Sequence, residues 1–74
     1  MPLPMMGSKA ATVLDVGQTS VHGQLSIALR FRLDGDDQVN QGSVAREMAP
    51  LDLKSGDRVQ LEFVLGNIMR VSRL

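Results

Sequence analysis

The sequence predicts an all-β domain, five short strands closing into a small barrel, with one short helical turn between the third and fourth. Three observations carry this. Gln24 to Leu33 alternates without a break: Leu25, Ile27, Leu29, Phe31 and Leu33 are large and apolar, and Ser26, Ala28, Arg30 and Arg32 lie between them. A period of two marks a strand with one dry and one wet face; on a helix the same residues would spread around the circumference. Arg58 to Leu65 repeats the pattern, with Val59, Leu61, Phe63 and Leu65 inward and Gln60 and Glu62 outward. Asp34-Gly35 and Gly66-Asn67 follow these two stretches directly. Such pairs mark hairpins, because glycine takes φ > 0 without steric cost.

The elements follow in order. Residues 1–9 read as a flexible N-terminal arm, kept extended by Pro2 and Pro4 and ended by Gly7-Ser8. Residues 10–74 read as a single barrel domain. Ala10 to Val16 is the first strand, favoured by the β-branched Thr12, Val13 and Val16, with Leu14 and Val16 facing in. Gly17-Gln-Thr-Ser20 is rich in turn formers, and Val21-His-Gly23 leads into the second strand. Gln38 to Val44 returns as the third strand, poor in strand formers, with Gly42 suggesting a bulge. Ala45 to Leu53 breaks the alternation. Ala45, Met48 and Ala49 fit one helical turn before Pro50, which plugs an end of the barrel. Ile68 to Ser72 is the last strand, with Met69 and Val71 on one face.

A meander with a helical turn between strands three and four points to OB-like architecture, with an SH3-like barrel as the alternative. Closure removes the open edges that so short a chain cannot otherwise cover.

Composition narrows the function classes. Seventy-four residues give one domain near the lower size limit for unaided folding. Eight Lys and Arg balance eight Asp and Glu, unlike the excess of positive charge in a strongly basic nucleic-acid binder. With no cysteine there are no disulfides or thiolate metal sites, and one histidine argues against structural zinc. The compartment stays open, the cytoplasm being expected. No apolar run reaches the ~18–20 residues of a membrane span. Met1 to Met6 lacks the basic start and cleavage site of a signal peptide.

Three patterns carry a resemblance: Ala11-Thr-Val-Leu14, Leu29-Arg-Phe-Arg-Leu33 and Leu53-Lys-Ser-Gly-Asp-Arg-Val59. The last resembles the Leu-x-x-Gly-Asp-x-Val step of many OB-type barrels. It is similar to the step in the TOBE and molybdate-binding barrels attached to transport ATPases, in translation initiation factor one and in small periplasmic copper-binding barrels. The early strands resemble an uncharacterised bacterial barrel domain often carried beside membrane segments. The likeness covers Ala10 to Leu74. A TOBE-like module would hold a small oxyanion at a subunit interface through backbone N–H groups, and Ser8, Ser43 and Arg46 are the positions that could serve.

Several constellations suggest chemistry. His22 with Met5, Met6, Met48 and Met69 has the donor types of a monovalent copper site, although methionines at such positions are more simply core fillers. Asp34, Asp36 and Asp37 begin like a calcium loop but lack its later glycine and closing glutamate, which leaves solvated hairpin acids. Arg30 and Arg32 share the outer face of the second strand, where Arg46, Arg58 and Arg70 could join them as an anion or nucleic-acid surface. Such surfaces also stack bases on aromatics, and Phe31 and Phe63 are both in inward phase. Pairing of the arginines with Glu62 and Asp15 across the sheet is the plainer expectation. No nucleophile elbow or phosphate loop is present.

The sequence thus leads to a non-enzymatic binding or assembly module with no metal and no cofactor. A single-stranded nucleic-acid binder and a TOBE-like oxyanion binder are the alternatives. Self-association is expected, through a loose third strand or through the apolar arm.

Overall fold

In the computed structural model, which describes residues 4–74, the strands are β1 (Met6–Val21), β2 (Gln24–Leu33), β3 (Asn40–Ala45), β4 (Arg58–Val64) and β5 (Asn67–Arg73). The helical element among the described residues is a 3₁₀ turn, Arg46–Met48, between β3 and β4. The fold is therefore all-β, and the helical turn falls where the sequence places it. Every pairing is antiparallel, in the order β3-β2-β1-β4-β5. Met1, Pro2 and Leu3, part of the expected arm, lie outside the described residues.

β1 is the central strand and changes partner midway: Met6–Thr12 pair with β4, and Ala11–Val21 pair with β2. It begins earlier than Ala10, because residues 6–9 are held in register against β4. It also runs straight through Gly17-Gln-Thr-Ser20, since the alternating β2 pairs with it along its whole length. The turn lies beyond, at His22-Gly23, where both residues take positive φ (51° and 78°), as a two-residue hairpin with the right-handed twist of its strands requires.

A register shift between Val13 and Asp15 leaves Leu14 as an extra residue on β1. Ala11 and Val13 face the core before it, and Val16 does after it, opposite Leu29. The expectation that both Leu14 and Val16 point inward is thus corrected: Val16 does, and the bulge takes Leu14 out of phase. A second shift, between Glu62 and Phe63, leaves Met69 extra on β5. Ile68 and Val71 are buried as a result, and Met69, expected beside Val71, is exposed.

The core is Ala11, Val13, Leu29, Phe31, Leu33, Val44, Val59, Leu61, Phe63, Ile68 and Val71. Val16, Ile27, Met48, Ala49 and Leu53 pack against it. No polar or charged side chain among the described residues is buried. The sheet curls until β3 meets β5. No hydrogen-bonded ladder crosses that seam among the described residues, so the sheet closes there by side-chain packing. Gly42 makes the approach feasible: a Cβ there would stand 2.9 Å from Ile68 Cδ1 and 3.7 Å from Phe31 Cε1. Its pairing with Leu29 is regular, so Gly42 marks close packing where the sequence suggested a bulge. β3 is accordingly seated, not loose.

The β4–β5 turn is Leu65-Gly66, one residue earlier than expected, with φ of 52° and 81°. A leucine at positive φ sets its Cβ against the backbone, a cost that Asn or Gly would largely avoid. Leu65→Asn should therefore stabilise the domain by about 1 kcal/mol and raise its thermal midpoint by roughly 4–8 °C. An unchanged or lower midpoint would show that Leu65 gains as much by contact as it loses in strain.

The phase of β2 gives a sharper test. Leu29 is 1% exposed in the core, and its neighbour Arg30 faces solvent. A buried, unpaired carboxylate costs several kcal/mol, about the whole margin of so small a domain. Leu29→Asp should abolish the far-ultraviolet circular-dichroism signature of the fold, and Arg30→Asp should retain it.

Candidate functional site

The alternation that sends Leu29 and Phe31 inward sends Ala28, Arg30 and Arg32 outward, and the register of β1, β2 and β3 assembles them into rows. Gly17, Ala28 and Ser43 stand side by side across the three strands. Next to them, toward the hairpin tip, come Thr19, Ser26 and Ala45. On the other side stand Asp15, Arg30 and Gln41. The small row of Gly17, Ala28 and Ser43, bordered by the taller polar row, makes a shallow open depression of about 410 Å³. Its charged members are Asp15 and Arg30, with the amide of Gln41 and the hydroxyl of Ser43 beside them. Phe31 and Phe63 are both buried, so neither aromatic reaches this face.

Asp15 and Arg30 are register neighbours but form no ion pair. The Asp15 carboxylate instead accepts the N–H of Val16 at 3.0 Å. Arg70 likewise stands opposite Glu62 on β4 without pairing. The expected cross-sheet pairs are thus adjacent but unclosed. Of the arginines singled out in the sequence, Arg30 and Arg32 lie together on the outer face of β2. Arg46 opens the 3₁₀ turn. Arg70 lines a separate shallow depression with Glu47, Met48, Ala49 and Val71. The four do not share one depression, and none forms an ion pair among the described residues.

The positions suggested for an oxyanion are also dispersed: Ser8 is on β1 opposite Glu62, and Ser43 is on β3 opposite Ala28. The soft donors are no closer. His22 sits in the turn after β1, while Met6 begins that strand, and Met48 packs against the core.

The other arginines are structural clamps. Arg58 grips Asp34 with both guanidinium nitrogens, at 2.5 and 2.7 Å, and donates to the Thr12 hydroxyl at 3.1 Å. The clamp ties the start of β4 to the turn after β2 across the central strand. Asp34, expected as a solvated hairpin acid, is the acceptor end of it. Arg73 donates to Asp52 at 2.7 Å and to Asp57 at 3.0 Å, pinning the segment before β4 to β5. No signal in the sequence marks these pairs, whose members lie far apart along the chain.

A scan against protein-family models, a search of curated proteins and a search of solved structures each find no match to this chain.

Both clamps bear on acid stability. The hydrogen bonds from Arg58 hold the Asp34 carboxyl below the usual carboxylate range. Asp52 is lowered by its backbone hydrogen bond and then by Arg73. A carboxylate with a depressed folded pKa contributes stability that is present above its unfolded pKa, about 4, and lost as the pH falls through the lower folded value. The thermal midpoint should therefore hold at neutral pH and fall on acidification below about pH 4. Arg58→Gln and Arg73→Gln together should flatten that decline, modestly because both pairs are exposed. An identical acid limb in the double variant would show that other carboxylates dominate.

Proposed function

We propose that this domain is a non-enzymatic interaction module that docks a segment of a partner protein on the outer face of β1–β2–β3. The observation that carries the proposal is the depression itself, an accessible floor of Gly17, Ala28 and Ser43 beside Arg30, which has no ion-pair partner among the described residues. Small side chains let a partner's backbone come close, and Arg30, Gln41 and Asp15 supply polar contacts to fix its orientation. The architecture we propose is OB-like. Strand β1 shared between β2 and β4, with a helical turn between β3 and β4, supports it over an SH3-like barrel. OB barrels bind on the face of their second and third strands, which is the face in question here.

Single-stranded nucleic acid is the second reading, favoured by Arg30 and Arg32 standing exposed and unpaired on that face. The buried aromatics and the balanced charge weigh against it, because stacking and counterion release provide most of such affinity.

A photo-crosslinking side chain placed at Ala28 should capture a discrete protein in cells, and the same group at Gln60, on the outer face of β4, should not. Equal capture at both positions would remove the face from consideration. Binding of single-stranded RNA or DNA that weakens steeply with salt, and is lost in Arg30→Glu/Arg32→Glu, would replace the protein reading with the nucleic-acid one.

A further inference from the structure

We propose that two copies of this chain pair antiparallel through the open edge of β1, around Thr19, joining their outer faces into one continuous sheet. The edge is open because the partners of β1 stop short. β4 covers it only as far as Thr12. The turn before β4 covers one residue more: Val13 donates to the Asp57 carbonyl at 2.9 Å and accepts from Gly56 N–H at 2.8 Å. From there the strand continues to Val21, and no other strand lies on that side among the described residues.

Strand geometry identifies the groups on this edge. Val21 closes the hairpin opposite Gln24, so Val21, Thr19 and Gly17 exchange their bonds with β2. Gln18 and Ser20 then turn their N–H and C=O to the open side. Val16 faces that side as well, but the carboxylate of Asp15 already takes its N–H. The edge is therefore guarded at its inner end and bare at its outer end.

A second copy suits the bare end. The devices that keep edges apart, proline, lysine and a bulge, are absent from Val16 to Val21, and every residue there is uncharged. An antiparallel alignment about Thr19 sets Gln18 of one copy against Ser20 of the other and the two Thr19 side chains against each other. Those are matched polar pairs with no like charges opposed, and the arrangement is its own two-fold image. The Asp15–Val16 bond falls outside the new ladder and survives. Balanced net charge removes long-range repulsion between copies. This differs from association through β3, whose Gly42 is packed against Ile68. The proposal does not depend on what the outer face binds.

Sedimentation of the full chain over a tenfold range of micromolar concentration tests it, alongside Gln18→Lys/Ser20→Lys. Both side chains are exposed, and neither backbone bonds β2, so the variant should keep the wild-type circular-dichroism spectrum. In a dimer each new lysine would face another. The wild type should shift from monomer to dimer with concentration, and the variant should stay monomeric. Amide exchange on the wild type gives a second readout, with protection at Gln18 and Ser20 rising as the dimer forms. A wild type that remains monomeric, a dimer that survives the two lysines in folded protein, or exchange at Gln18 and Ser20 that ignores concentration would each overturn the proposal.

Discussion

The fold turns on what happens at Val13. Its side chain is fully buried, and its N–H and C=O both point away from β2 and bond Asp57 and Gly56. That pair of bonds is where β1 stops being a partner of β4 and becomes a partner of β2 alone. Leu14 is looped out next to it, and the phase of the strand resets. Were Leu14 paired in register with Arg30 instead, Asp15 would fall opposite Leu29 on the core face and Val16 would be turned outward. The turn that reaches Val13 is held in its own right. Gly56 takes a φ of 94°, and the Asp57 carboxylate accepts both the Lys54 N–H and the Arg73 guanidinium at 3.0 Å. The Leu53-to-Val59 step therefore has a definite role: glycine permits the turn, aspartate braces it, and Val59 enters the core.

Closure on the far side depends on absence of bulk. β3 carries Gly42 opposite Leu29, and Ile68 of β5 occupies the space a side chain there would need. A poor strand former is placed where a better one would hold the two edges apart. Its weak propensity is offset by regular pairing along β2 and by Val44 packing below it. The bulge at Met69 then delivers Ile68 and Val71 to the same core, which alternation alone would have split between faces.

The outer face is what this economy leaves. Eleven apolar side chains among the described residues make the core, and the residues that face outward beside them in the rows across β1, β2 and β3 are small or polar. Arg58 and Arg73 form clamps that bind turns to strands, and Arg30 and Arg32 have no ion-pair partner among the described residues. The surface open to a partner is therefore the broad side of the β1–β2–β3 sheet together with the uncovered length of β1. Both follow from a central strand longer than either of its neighbours.

The sequence by itself determined the all-β class, the alternating phases of β2 and β4 except at their ends, where Leu25 and Leu65 were expected inward and are exposed, the burial of both phenylalanines and the helical turn before β4. Each of these rests on local periodicity or on a residue that breaks it, and such signals lie within a few positions of one another. The tertiary structure decided the rest. The length of β1 depends on β2 and β4 lying beside it, because Gly17 to Ser20 have no strong preference of their own. The two bulges are visible only as a mismatch between paired registers, so the burial of Ile68 in place of Met69, and the displacement of Leu14, could not be read from either strand alone. The seat for Gly42 and the Arg58–Asp34 and Arg73–Asp52 clamps join residues remote in sequence, and only the folded sheet brings them within reach. The face made by Gly17, Ala28 and Ser43 is of the same kind: three small residues on three strands, aligned by register and by nothing in the chain between them.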